Sequence, residues 1–258
     1  MDSMCCTKLA MSSLEFKNWI KLMRHNYILH RKLWEWCFIA QVLREHGMLI
    51  SGKSGLGFGV GTDPLTSLFA SFGARILATD LDTGEAAAAG WVATSQHGDN
   101  KNMLNMRGIC GEQEFKDLVD FEFANMNDIP ERYKERFDFV WSSCCLEHLG
   151  SIENGAQFIL NSISCLRPGG IAVHTTEFNV SSDLETIETG PTVLFRKKDI
   201  EQVIENLRNL GCHIRMDWDC GDQPEDYYVD IPPYSRTPHL KLRIAQYTVT
   251  SIGLVIIK

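Results

Sequence analysis

Between residues 13 and 46 the apolar positions Trp19, Leu22, Met23, Leu33, Trp36 and Ile39 recur at three- and four-residue intervals among Lys, Arg and His. That period predicts one or two amphipathic helices before the first strand. Beyond it, short apolar runs alternate with helical stripes. A βα unit is expected over 53–72, where Leu65, Leu68, Phe69 and Phe72 keep helical spacing and Gly73 supplies the stop. A strand over 75–80 and an alanine-rich helix over 85–94 come next. Residues 97–112 are polar, contain three glycines and read as a surface excursion. Strands are expected over 119–124 and 137–142, and a helix over 152–166. The tetrad Arg167-Pro168-Gly169-Gly170 breaks that helix and turns into a strand over 171–175. A helix over 199–210, closed by Gly211, precedes strand character over 213–218 and 247–257. Pro224, Pro232, Pro233 and Pro238 leave little regular structure to the loop 221–240. Strands alternating with helices define an α/β fold, a mainly parallel sheet with helices on both faces, in which the closing strands are free to run antiparallel.

The length of 258 residues suits one α/β domain with an appended segment, here a helical cap over 1–50 on a domain over 51–258. Hydrophobic residues make up 44% and charged residues 22%, the balance of a globular protein with an ample core. A formal charge of −8 argues against nucleic acid as a partner, since sequence-independent binding to a polyanion needs clustered Lys and Arg. Arg196-Lys197-Lys198 is the one compact basic cluster, and it reads as a solvated helix entrance. Nine cysteines without a CxxC pair make neither a disulfide framework nor a zinc site. They fit a reducing compartment, so the expected location is cytoplasmic. No apolar stretch reaches the roughly 18 residues of a membrane span.

Residues 55–82 carry the chemistry that is most legible. Glycines at 55, 57, 59 and 61 permit a sharp turn and close approach of the backbone to a ligand. A helix and a short strand follow, and Asp80 ends the strand where its carboxylate can accept from two ribose hydroxyls. Turn, helix, strand and acid in this order indicate a nucleoside cofactor.

Several separated motifs resemble those of the class I S-adenosylmethionine-dependent methyltransferases of the methyltransferase type 11 kind, over roughly residues 50–175. Gly57-Phe58-Gly59-Val60-Gly61 looks like the first motif, and Asp80 like the ribose-holding acid. Asn125-Met126 with Ile129-Pro130 is similar to the adenine-side segment. The fourth strand, ending in Trp141-Ser142, with Leu146-Glu147-His148 resembles the substrate-side turn, and Leu166 to Gly170 the hairpin into strand five. The resemblance implies a Rossmann-like seven-stranded sheet, S-adenosylmethionine as cofactor, and cofactor contacts from Gly57, Gly59, Gly61, Asp80, Leu81, Asn125, Met126 and Ser142. Three positions depart from the pattern. Gly57 stands where an acid is usual, Asn125 where Asp is common, and Asp63-Pro64 replaces the third glycine in a form suited to starting a helix.

Methyl transfer from a sulfonium needs alignment and, for a hydroxyl acceptor, a base. His148 is the first candidate; Glu147 next to it is a candidate to orient a substrate or bind a cation, Glu177 with Asn179 beyond strand five is placed to meet a polar acceptor, and His174 shares a strand face with Thr176 and is expected to pack against a helix. The expected reaction is O-methylation of a sugar, glycan or other polar small molecule without an obligatory metal. Tyr27, His30, Arg31, Trp34 and Trp36, with Tyr227, Tyr228, Tyr234 and His239, are candidates for enclosing that acceptor. Two alternatives stay open. Glu147-His148 and Glu177 are similar to parts of the metal-binding set of small-RNA 2′-O-methyltransferases, although Cys144 takes the place of one Glu. A catalytically silent partner subunit is the other, and a homo-oligomer is compatible with either.

Overall fold

The computed structural model describes residues 1–82, 84 and 100–258, and within them ten strands form one sheet. In chain order these are β1 Ser3–Cys5, β2 Ser54–Phe58, β3 Arg75–Asp80, β4 Val119–Phe123, β5 Phe137–Ser143, β6 Leu166–Asn179, β7 Met216–Asp217, β8 Val229–Asp230, β9 Lys241–Ile244 and β10 Tyr247–Ile257. The path across the sheet is β4-β3-β2-β5-β6-β10-β1-β7, with β9 also on β10 and β8 on β9. Strands β2 to β6 are mutually parallel. The last strand, β10, runs antiparallel to β6 from Val249↔Asn179 to Ile257↔Ile171.

The sheet therefore exceeds the expected seven strands by β1, β8 and β9. The first of these wedges between β10 and β7, so the strand expected over 213–218 shrinks to two residues, and His213 keeps only a bridge to Ile257. Three residues of Ser-Met-Cys carry no readable period; long-range bonds hold them instead, among them Val255 N–H donating to Ser3 Oγ at 2.8 Å.

Eight α-helices are described: α1 Lys8–Ser12, α2 Leu14–Leu22, α3 Arg31–Glu45, α4 Leu65–Ala70, α5 Glu112–Leu118, α6 Ile152–Ser162, α7 Lys197–Asn209 and α8 Pro224–Tyr227. The helix expected over 85–94 lies outside the described residues. Side-chain caps fix several starts: Ser13 Oγ accepts from Phe16 N–H, and Ser151 Oγ from Asn154 N–H. The basic cluster at the start of α7 is not simply solvated, because Arg196 is buried and bridges Asp199 and Glu188. Strand β6 is also longer than expected. Its pairing with β5 jumps from Phe137↔Leu166 to Phe139↔Ile171, so the Pro-Gly-Gly segment is absorbed as an irregularity while β10 carries pairing on to Asn179.

Each sheet face buries its own core. Trp34, Phe38, Phe69, Phe139 and Trp141 fill the side of α3 and α4. Phe58, Phe158, Val203, Leu207 and Leu254 fill the side of α6 and α7. The order places β3 and β4 to one side of β2, and β5 and β6 to the other. The connections diverge between β2 and β5, and a crevice at the carboxyl ends of these two strands is where this architecture receives a ligand.

Candidate active site

The turn after β2 is held left-handed at Gly59 (φ 56°) and Gly61 (φ 51°), which an L side chain would strain. A Cβ on Gly59 would also stand 2.9 Å from Cys145 Sγ and 3.5 Å from Met126 Sδ. Asp80, at the end of β3, braces the turn: its Oδ2 accepts from Gly61 N–H at 2.9 Å, and its Oδ1 accepts from Leu81 N–H at 2.8 Å. These bonds orient the carboxylate at the end of β3. Gly57 has a packing reason. It pairs with Trp141 across the β2/β5 ladder, and a Cβ there would collide with the Trp141 ring and Val60. An acid at this position has no room.

Of the other residues expected around the cofactor, Leu81 follows Asp80 and is half-buried, Met126 is buried beside Gly59, and Asn125 is exposed. The Asn125 side chain accepts from Asn127 N–H at 2.9 Å and so shapes its own turn. Ser142 directs its hydroxyl to His174 Nδ1 at 2.8 Å, and Ser162 of α6 meets the other ring nitrogen at 3.0 Å. Burial pushes the His174 imidazole down to about 3, which keeps it neutral. It is a core group, as its place on the strand implies.

At the carboxyl ends of β5 and β6 a buried group of charges converges with the first turn of α3. Glu177 Oε1 is paired with Arg31 Nη2 and receives the Cys144 thiol at 3.7 Å. Arg31 Nη1 donates to Glu35 Oε1 at 3.1 Å and to Ser251 Oγ at 3.2 Å, while Ser251 donates its own proton to Glu35. Lys32 donates to the Ser143 carbonyl at 3.2 Å and lies between Glu35 at 3.7 Å and Asp63 at 3.8 Å. Asp63, expected to favour a helix start, makes no side-chain cap on α4; burial raises its carboxyl while Lys32 opposes the rise. Glu147 is fully buried and its Oε2 accepts from Thr176 at 3.1 Å.

Three carboxylate oxygens in this group, Glu35 Oε2, Glu147 Oε1 and Glu177 Oε2, are buried without a hydrogen-bond partner among the described residues. Such atoms are costly and indicate either a held proton or a ligand that donates. The cost is visible at Glu177. Burial, with Glu147 and Glu35 adding to it against Arg31, raises its carboxyl from 4.5 to about 7. Cys144, Glu147 and Glu177 bring one donor atom each within 4.8 Å of one another, and the cation that meets them is the Arg31 guanidinium. Burial, reinforced by Glu147, Glu35 and Glu177, holds the Cys144 thiol well above its ordinary range, so it acts as a weak donor.

His148 sits at the rim of this group. Its Nδ1 lies 2.7 Å from the Pro191 carbonyl and its Nε2 lies 3.8 Å from the unpartnered Oε1 of Glu147. Of the expected acceptor enclosure, His30 and His239 stack with ring centroids 4.6 Å apart, Tyr234 packs edge-on to His239, and His239 Nδ1 donates to Asp230 at 2.6 Å. Trp34 and Trp36 are buried in the core instead, whereas Tyr27, Tyr227 and Tyr228 are exposed. Glu35, Lys32 and Ser251 were not legible as site residues. The one signal for Glu35 is an acid set between Trp34 and Trp36, four residues after Arg31.

The glycine turn, the braced acid and the divergence between β2 and β5 define a class I Rossmann-like methyltransferase fold. Residues 56–174, a little under half of the chain, match the family model described as a methyltransferase domain, which is consistent with the resemblance to the class I S-adenosylmethionine-dependent methyltransferases. No curated protein matches the sequence. Among solved structures, an S-adenosylmethionine-dependent methyltransferase from Mesorhizobium loti aligns at 14% identity over 84% of this chain and 96% of that one, with a TM-score of 0.50. A 1,6-didemethyltoxoflavin-N1-methyltransferase from Burkholderia thailandensis aligns at 15% identity over 85% and 75% of the two chains, with a TM-score of 0.48. A third, described as a putative sarcosine dimethylglycine methyltransferase from Galdieria sulphuraria, aligns at 15% identity over 71% of this chain, with a TM-score of 0.41; the chain spans 53% of that protein's length. These identities speak to fold alone. Among the described residues no helix is long and apolar enough to cross a membrane.

Proposed function

We propose that the protein transfers the methyl group of S-adenosylmethionine to an oxygen of a polar small-molecule or glycan-type acceptor, with Glu177 receiving the acceptor's proton. The observation that carries this reading is the buried, unpartnered Glu177 Oε2 at the carboxyl end of β6, on a carboxyl raised to about 7. A hydroxyl must lose its proton as it attacks, and a base poised near neutrality suits that task. The unpartnered Oε1 of Glu147 offers a second acceptor for a neighbouring hydroxyl of the same ligand.

The cofactor cradle supports the same reading. Gly59 and Gly61 leave the backbone bare at the crevice, and Asp80, bonded to Gly61 and Leu81 N–H, sits at the end of β3 where this fold receives the ribose. When bound, the cofactor supplies an electrophilic methyl group. The chain's own part is to align the acceptor oxygen, exclude water with the first turn of α3, and hold the released proton on Glu177 Oε2. His148 is the alternative base, reached through Glu147.

The test is S-adenosylhomocysteine release from S-adenosylmethionine across a panel of sugars, polyols, amines and small RNA, with and without chelator. Release with hydroxyl acceptors that survives chelation is expected. Release only with amines, or only with RNA and a divalent ion, overturns the reading.

A further inference from the structure

The two oxygens of Glu177 keep different company. Oε1 is committed to Arg31 and to the Cys144 thiol, whereas Oε2 has no partner among the described residues. Arg31 is itself held from behind, since its second terminal nitrogen reaches Glu35 at 3.1 Å and Ser251 at 3.2 Å. Glu35 is fully exposed to none of the solvent, at 0% accessibility, and is fixed in turn by Ser251 on β10. Planar guanidinium geometry makes this a two-sided clamp, with one nitrogen for the anchor and the other for the working carboxyl.

We infer that Arg31 and Glu35, from the amino-terminal segment, are positioning residues that orient Glu177 so that only Oε2 meets the acceptor and that set how readily Glu177 ionises. The inference rests on Glu177 being the base. The groups that face Glu177 are Arg31 and Glu35 from α3, Cys144 and Glu147 from the turn after β5, and Tyr234 from the segment before β9. Arg31 is the only cation among these described residues and the stronger of the two groups that favour the ionised form, the other being the Cys144 thiol that donates to Oε1. Serving as a clamp also explains why a half-buried Arg and a fully buried Glu four residues apart turn inward together at the start of a helix otherwise lined with Trp, Leu and Phe. A pair placed there for helix stability alone would sit on the solvent face.

The test follows the ionisation of Glu177 without any acceptor. Protein labelled with 13C at glutamate Cδ is titrated by NMR, with the Glu177 resonance assigned by its loss in Glu177→Gln, and S-adenosylhomocysteine affinity is measured in parallel by calorimetry. The wild-type midpoint is expected near 7. Arg31→Met is expected to raise it by one pH unit or more, a tenfold or greater fall in the ratio of ionised to protonated Glu177, with S-adenosylhomocysteine affinity within about threefold of wild type. Arg31→Lys should restore part of the midpoint. Glu35→Gln should lower it, which keeps the test decisive if Arg31→Met does not fold. An unmoved midpoint in Glu35→Gln, or in Arg31→Met where it folds, overturns the inference, since a merely structural pair would change stability alone. A wild-type midpoint in the ordinary carboxylate range would instead sink the base assignment itself.

Discussion

Gly57 and Trp141 face each other across the β2/β5 ladder, and the indole occupies the space that any side chain at 57 would need. The same relationship repeats at Gly55 and Phe139. These glycines therefore place two large rings against the sheet beside the cofactor crevice, and the ring of Trp141 stands where an acid at 57 would have to project.

Gly57→Ala is expected to destabilise the fold by roughly 1–3 kcal/mol through overpacking, with Tm falling about 2–4 °C for each kcal/mol. Adding Trp141→Leu should recover part of that loss, since each change relieves the other. Thermal unfolding of the two single variants and the double variant measures the coupling; strictly additive losses would show that the ring and the missing side chain do not share the space.

Asp80→Ala should weaken S-adenosylhomocysteine binding about 10- to 100-fold, because it removes a charge-assisted acceptor and leaves Gly61 N–H without its partner. Asp80→Asn should fall between the two, keeping one carbonyl oxygen. Calorimetry reads both, and unchanged affinity in Asp80→Ala would place the ribose elsewhere.

Much of this was legible from the chain. The strand β3 coincides with its expected range, as does β10, because each is a run of apolar and β-branched residues bounded by polar or turn residues. Glu177 was recognisable from its place at the end of a strand. Its clamp was not, because Arg31 and Glu35 meet it from more than a hundred residues away and a helical period gives no partner across that distance. Likewise β1 escapes any pattern reading, since three residues are too few to show a period and their place is set by β10. The Asp63-Pro64 pair reads as a helix start, yet the carboxylate turns to Lys32, whose half-buried amine lies 3.8 Å away.

Glu177 and His174 give stability opposite pH dependences. Glu177 has a folded value raised from 4.5 to about 7, so between those limits the folded state holds a proton that the unfolded chain has lost. Stability from this group falls as pH rises through the window, by a total on the order of 3 kcal/mol. Glu177→Gln should therefore gain Tm relative to wild type as pH rises from 4.5 to 7. A constant difference between the two proteins would mean that Glu177 is ionised throughout.

His174 acts in the other direction. Its folded value is lowered from 6.5 to about 3, so below pH 6.5 the unfolded chain takes a proton that the folded core refuses, and stability is lost as pH falls. The advantage of wild type over His174→Asn should shrink between pH 6.5 and 4, by up to about 1.4 kcal/mol per pH unit. Affinity for S-adenosylhomocysteine should not change, because His174 lies between Ser142 and Ser162. A cofactor-binding defect in this variant would contradict its place in the core.

The most direct measurement of the central claim is a calorimetric titration of the purified protein with S-adenosylhomocysteine at neutral pH, run beside Asp80→Ala. One-to-one binding that is strongly weakened by the substitution is the expected result. The absence of binding by the wild-type protein, or equal binding by both, would contradict the assignment of the turn at Gly59 to Gly61 and of Asp80 to the cofactor.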